Sequence, residues 1–151
     1  MNAITLLKED HERAMELIEQ IESLDENDSQ AWDFFGQLKQ ALTLHTQMEE
    51  KVFYPALIQF EETKEIVEEA YKEHQEVDDL LADISNLSLG DEEFLDQIAE
   101  LKEKIEHHVG EEEDELFPEA EKLLGESRIR ELGIQMEQLN KGKTATASKR
   151  K

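Results

Sequence analysis

Two histidine–glutamate pairs stand where the apolar pattern of this chain calls for leucine. His45 and Glu49 lie four apart in HTQMEEKVFYP, residues 45–55, and His108 and Glu112 repeat that spacing in HVGEEEDELFP, residues 108–118. Four residues is just over one helical turn, so each pair shares a helix face with about 6 Å of rise between its members. An ionised carboxylate in an apolar interior is costly unless it is paired or binds a cation. Two such glutamates facing each other would repel, and each would tend to stay protonated. A bound cation removes that difficulty, so the pattern points to metal chemistry.

The spacing recurs because the chain is duplicated. An offset of 63 places His11 on His74, His45 on His108, Glu49 on Glu112 and Pro55 on Pro118. The apolar positions follow: Ile4 meets Val67, Ile18 meets Leu81, Ile21 meets Ile84, Phe35 meets Ile98, Leu38 meets Leu101 and Leu42 meets Ile105. One H-x-x-x-E in so acidic a chain is weak evidence, and a single seam histidine is more often a hydrogen-bonded core residue than a ligand. The repeat supplies the specificity. His11, His45, Glu49, His74, His108 and Glu112 converge as four imidazoles and two carboxylates, enough for two divalent or trivalent ions with the glutamates bridging. Imidazole with carboxylate suits iron, zinc or manganese, whereas all-oxygen sites suit calcium or magnesium. None of the five histidines has a glutamate three residues before it, unlike the Glu-x-x-His motif of ferritin-like bundles.

These residues require helices to position them. A first helix is expected from Ala3 to Leu24, ending in the turn-rich DENDS at residues 25–29. Ser29 or Asp28 caps a second helix, which the missing N–H of Pro55 should kink or break. A third covers about 62–87 and closes at SLGD, with Gly90 in the turn and Asp91 as the next cap. A fourth runs to about Phe117, and a short helix near 126–139 packs outside. The inward stripes alternate steps of three and four, such as Ile4, Leu7, His11, Ala14, Ile18 and Ile21 on the first helix. The expected fold is all-α: an antiparallel up-down four-helix bundle of two duplicated hairpins plus a short C-terminal helix. Residues 1–140 form the domain, and 141–151 a basic, disordered tail.

Composition narrows the function. The 151 residues carry a formal charge of −23, and the final KGKTATASKRK is basic, so residues 1–140 carry −28. A body that acidic repels phosphate backbones, which argues against nucleic acid as a partner. No apolar run approaches the roughly 20 residues of a membrane span, and no secretion leader is recognisable, so a cytoplasmic protein without a membrane partner is expected. Zero cysteines exclude thiolate sites. Trp32, Phe35, Phe53, Tyr54 and Phe117 read as core aromatics, with the lining of a gas pocket as the alternative, and Met15 and Met48 read as packing. Of the EEEDE run at 111–115, only Glu112 falls on the seam. No nucleophile elbow or phosphate loop appears, which leaves hydrolases and nucleotide enzymes without a site.

At His11, His45–Glu49, His74 and His108–Glu112 the chain resembles the hemerythrin-like, HHE cation-binding family, over about residues 3–120. The resemblance implies two non-haem iron ions (Fe2+/Fe3+) joined by the two carboxylates and a bridging oxo or hydroxo group. It implies a protein that binds, senses or scavenges dioxygen or nitric oxide; the alternatives are a peroxide-dismuting (catalase-like) di-iron enzyme acting on H2O2, or an iron store. The chain departs from the oxygen carriers in lacking an H-x-x-x-H pair on the third helix, since Ala70 and Asp78 flank His74 at four residues. The spare His107 lies about 100° around the helix from His108 and is read as facing solvent, with a fifth-ligand role as the alternative. With six ligands each iron keeps an open position unless Asp78, Glu50 or another acid fills it, which favours small-molecule chemistry over reversible oxygen carriage.

Overall fold

The computed structural model describes the backbone of residues 2–149 and the side chains of residues 2–141. Every regular element among them is helical. Helix α1 spans Ala3–Glu22, started by Asn2, whose side chain accepts the Thr5 N–H at 2.8 Å. Helix α2 spans Ser29–Met48, and Asp28 rather than Ser29 is its cap, accepting the Gln30 N–H at 2.9 Å. A π-helical turn at Glu49–Phe53 leads into the short α3, Tyr54–Leu57. Helix α4 covers Glu61–Ser85 and α5 covers Glu93–Glu111, followed by a second π turn at Glu112–Leu116 and by α6, Phe117–Lys149. α1 packs on α2, α4 on α5, and α1 also on α5 and α6.

The turn between α4 and α5 relies on Gly90, at φ +88°, where a Cβ would meet the Asn27 side chain at 2.8 Å. Glycine alone suits both demands. Asp91, expected as the cap, lies one residue before the cap position at Glu92 but still accepts the Glu93 N–H at 2.9 Å.

Two expectations need correction. The second helix is not broken at Pro55; it continues through the proline to Leu57. The π turn just before Pro55 explains this, because it widens the coil where the proline ring would otherwise strike the preceding turn. The C-terminal helix is also longer than 126–139. The chain is helical from Phe117, but Gly125, at φ +80° and ψ 162°, ends that segment, so the last helix begins near the expected 126 and differs in running past 139 to Lys149. Beyond Gly125, Ile129, Leu132 and Met136 are buried against α1 and α3 residues of the core. The basic tail expected at 141–151 falls outside the described side chains, Lys141 excepted.

The core has two apolar ends with a polar layer between them. One end gathers Leu7, Phe53, Tyr54, Leu57, Phe117 and Met136, and the other Leu17, Ile18, Phe35, Phe94, Ile98 and Leu101. Trp32 stacks on Phe94 at 4.7 Å and Phe35 meets both edge-on, so these aromatics pack on one another. Phe94→Ala is expected to cost about 3–5 kcal/mol in urea unfolding, the usual loss for a buried ring, while leaving cation binding intact. No helix among the described residues is long and apolar enough to cross a membrane.

Candidate metal centre

The six residues singled out by the repeat meet in the polar layer, each between 0% and 8% exposed. α1 brings His11, α2 His45, α4 His74 and α5 His108, while Glu49 and Glu112 open the two π turns. The imidazoles form two pairs of matching geometry. His11 faces His45 with ring centroids 4.9 Å apart at 65°, and His74 faces His108 with the same separation and angle. Each carboxylate reaches across both pairs. Glu49 Oε1 lies 3.1 Å from His45 Nε2 and 3.0 Å from His74 Nε2. Glu112 lies 3.4 Å from His108 Nε2 through Oε2 and 3.0 Å from His11 Nε2 through Oε1.

A second ring of acids fixes the imidazoles from behind. Nδ1 of His45 lies 2.9 Å from Asp10, that of His11 2.8 Å from Glu113, that of His74 2.7 Å from Glu50 and that of His108 2.7 Å from Glu73. A carboxylate at Nδ1 places the ring proton there and turns the Nε2 lone pair inward, the tautomer a cation needs. Sequence reading missed this ring. Its signal was present, since Asp10 and Glu73, and Glu50 and Glu113, are also 63 apart, each beside a centre residue. With 39 acids in the chain the signal had no contrast. Of the EEEDE run only Glu112 is buried, as expected of the one seam residue, but Glu113, partly exposed, also serves the layer by holding His11. Glu50 sits on the outer nitrogen of His74 and not inside the centre, and Asp78 is exposed, outside the clusters of ligand atoms.

The π turns do more than accommodate proline. In each the carbonyl of the glutamate accepts an N–H five residues on, from Tyr54 to Glu49 and from Phe117 to Glu112. Residues five apart thereby share the face that four-residue spacing would give to Phe53 and Leu116. The Tyr54 hydroxyl consequently enters the centre. It lies 3.2 Å from His74 Nε2 and 3.4 Å from His108 Nε2, and donates to Glu112 Oε2. Phe117, its counterpart, stacks on His11 at 6.0 Å.

Charge is strongly coupled here. Burial alone would lower the His45 imidazolium, but the Glu49 carboxylate and the bond to Asp10 outweigh it and push the pKa up to about 10. His74 and His108 are raised by the same contest between burial and their carboxylate partners. Burial would raise Glu49, yet His45 and the neighbouring donors hold it well below the carboxylate range. Burial and both glutamates push the Tyr54 phenol well above its ordinary value. The chain thus balances its buried carboxylates with protons on imidazole, the role a cation would take.

Other features fit a cation better than a proton. His45 Nε2, although 3.1 Å from Glu49 Oε1, makes no hydrogen bond, and Glu49 Oε2 makes none either, so both atoms are free to serve a cation. Ligand atoms of His11, His45, Glu49 and Glu112 lie within 4.8 Å of one another, as do those of Glu49, His74 and His108. A cavity of about 30 Å³ adjoins the four histidines on the side of Ala14, Leu42, Val77 and Ile105, opposite Tyr54. His107 faces away from this layer. Its side chain is 67% exposed, with Nε2 2.8 Å from Glu111 and 3.4 Å from Glu73.

Comparison with known proteins agrees. Residues 2–120 match the model of the hemerythrin HHE cation binding domain. The structure superposes on that of a hemerythrin HHE cation binding domain-containing protein from Mycobacterium kansasii with a TM-score of 0.81 and 26% identity, covering 94% of this chain and 89% of that one. An uncharacterised hemerythrin-like protein of Schizosaccharomyces pombe is 29% identical over 87% of this chain and 66% of its own length. A protein of a Nostoc species named as a DNA nickase is 32% identical over 78% of this chain, which spans only 33% of that protein. With its repeated histidines and glutamates gathered in one buried layer, the chain belongs to the hemerythrin HHE cation-binding domain family.

Proposed function

We propose that this layer, in an antiparallel bundle of two duplicated hairpins, holds two non-haem iron ions. His11 and His45 serve one position, His74 and His108 the other, and Glu49 and Glu112 link them. The carrying observation is that each carboxylate lies within 3.4 Å of an imidazole from both pairs, while all four outer nitrogens are held by acids. A pair of iron ions held there supplies electron exchange with a small molecule, and dioxygen or nitric oxide fits the adjoining cavity of about 30 Å³. We read the protein as a binder, sensor or scavenger of these gases. The four histidines orient the ions, the apolar residues of the cavity exclude bulk water, and the outer acids hold protons at Nδ1.

The same acids favour a second reading. Asp10, Glu50 and Glu113 have side chains 35–37% exposed, so each links a buried imidazole to solvent. Such links suit the proton movements of peroxide dismutation, in which two H2O2 give O2 and two H2O. Rapid oxygen evolution from peroxide would select this reading, and its absence would leave gas binding. Absorption spectra of the iron-loaded protein, before and after oxygen, test the centre itself. Oxo-bridged di-ferric bands are expected in the wild type and absent in His45→Ala and Glu112→Ala, but retained in His107→Ala. A spectrum unchanged in His45→Ala would refute the ligand assignment.

A further inference from the structure

The duplication matches the two halves of the centre residue for residue, with one chemical exception. Histidine faces histidine, glutamate faces glutamate, and an outer acid faces an outer acid across the offset of 63. Tyr54 and Phe117 break the match. Both follow a π turn, both are aimed inward by the same five-residue hydrogen bond, and both are about 0–1% exposed. Only one carries an oxygen.

That oxygen lies in a telling place. The Tyr54 hydroxyl approaches Nε2 of His74 at 3.2 Å and Nε2 of His108 at 3.4 Å, and bonds Glu112 Oε2. It therefore points to where the lone pairs of one histidine pair converge, and not merely along their edges. Tyr54 stacks its ring on His74 at 5.3 Å and 29°, as Phe117 stacks on His11 at 6.0 Å and 5°, but Phe117 offers the His11–His45 pair no oxygen. Phenolate oxygen is a good ligand for ferric iron, as in the tyrosinate-ligated haem of catalase.

We propose that Tyr54 is a seventh ligand, belonging to the His74–His108 position alone, so that the two cation positions are unequal. This rests on the di-iron reading above. Binding would replace the Tyr54 O–H bond with a bond from the phenolate oxygen to iron. The proton would be released to solvent, because Glu112, its present acceptor, is then committed to the ions. The His74–His108 position then has its own oxygen ligand from the chain, and the His11–His45 position, beside Phe117, is the one left for the incoming small molecule. Sequence reading had counted an open place on each ion.

Resonance Raman and visible absorption of the ferric protein test this directly, beside metal analysis. Wild type is expected to bind two irons per chain and to show tyrosinate modes under a phenolate-to-iron band. Tyr54→Phe, whose ring copies what Phe117 already does in the other half, is expected to lose both signals. Phe117→Leu is expected to keep them and controls for the loss of a packed ring. Wild type with two irons and no tyrosinate modes, or Tyr54→Phe with unchanged modes, overturns the proposal while sparing the di-iron reading. Wild type that binds no iron pair overturns that reading instead.

Discussion

Glu49→Gln is expected to lose the binding of both cations, because one oxygen of this residue is the closest link between the two histidine pairs. Glu49 Oε1 is 3.1 Å from His45 Nε2 and 3.0 Å from His74 Nε2, and the side chain is fully buried. An amide of the same shape keeps the packing but removes the charge, leaving one neutral oxygen where a bridging carboxylate offers two. Cations in a buried layer depend on carboxylate charge for compensation, so neither position should survive. Asp10→Asn sets the scale. It weakens only the support behind His45 and should reduce affinity roughly 10- to 100-fold, the usual effect of an outer partner, without changing stoichiometry. Titration with Zn2+ or Fe2+ and elemental analysis of the dialysed proteins separate these outcomes, with far-UV circular dichroism to verify the helices. Glu49→Gln that still holds two ions would show that the carboxylate is a packing residue and the centre lies elsewhere.

The buried histidine–glutamate layer was legible in the sequence because duplication made it redundant. Any one of His11, His45, His74 or His108 would have passed for a seam histidine, but two copies at a fixed offset could not. The helices were legible for the same reason, their apolar stripes being written twice. What escaped depends on local backbone detail or on chemistry without contrast. The π turns at Glu49 and Glu112 leave no periodic signature, since a single wide turn shifts the register by about 100° only once. Without them nothing ties Tyr54 to the polar layer, so it was read only as a core aromatic, which it also is. The outer acids were hidden among many solvated ones, and the helix expected after Gly125 gave no sign that Ile129, Leu132 and Met136 would close one end of the core.

The metal-free protein should lose stability as pH rises from about 6.5 towards 10, opposite to the trend expected of the cation-loaded form relative to it. His45 has a folded pKa of about 10 against about 6.5 when unfolded. A group raised on folding contributes its full stabilisation below the unfolded value and loses it as pH climbs through the folded one. His74 and His108 are raised too and act in the same direction. Glu49 is held low, so its contribution fails only in acid, beneath the ordinary carboxylate range, and does not disturb this window. At about 1.4 kcal/mol per pKa unit the loss from His45 is of the order of a few kcal/mol. Cations reverse the sign because they need neutral imidazole: fewer protons must be displaced as pH rises, so loading becomes stronger across the same interval. Urea midpoints between pH 6 and 9.5, with chelator and with Zn2+, should therefore diverge. His45→Gln should make the chelated curve shallower, leaving the part that His74 and His108 contribute. A chelated midpoint that stays level or rises with pH would mean that the buried carboxylates are not balanced by imidazolium, and with that the electrostatic reason for a cation at this layer would fail.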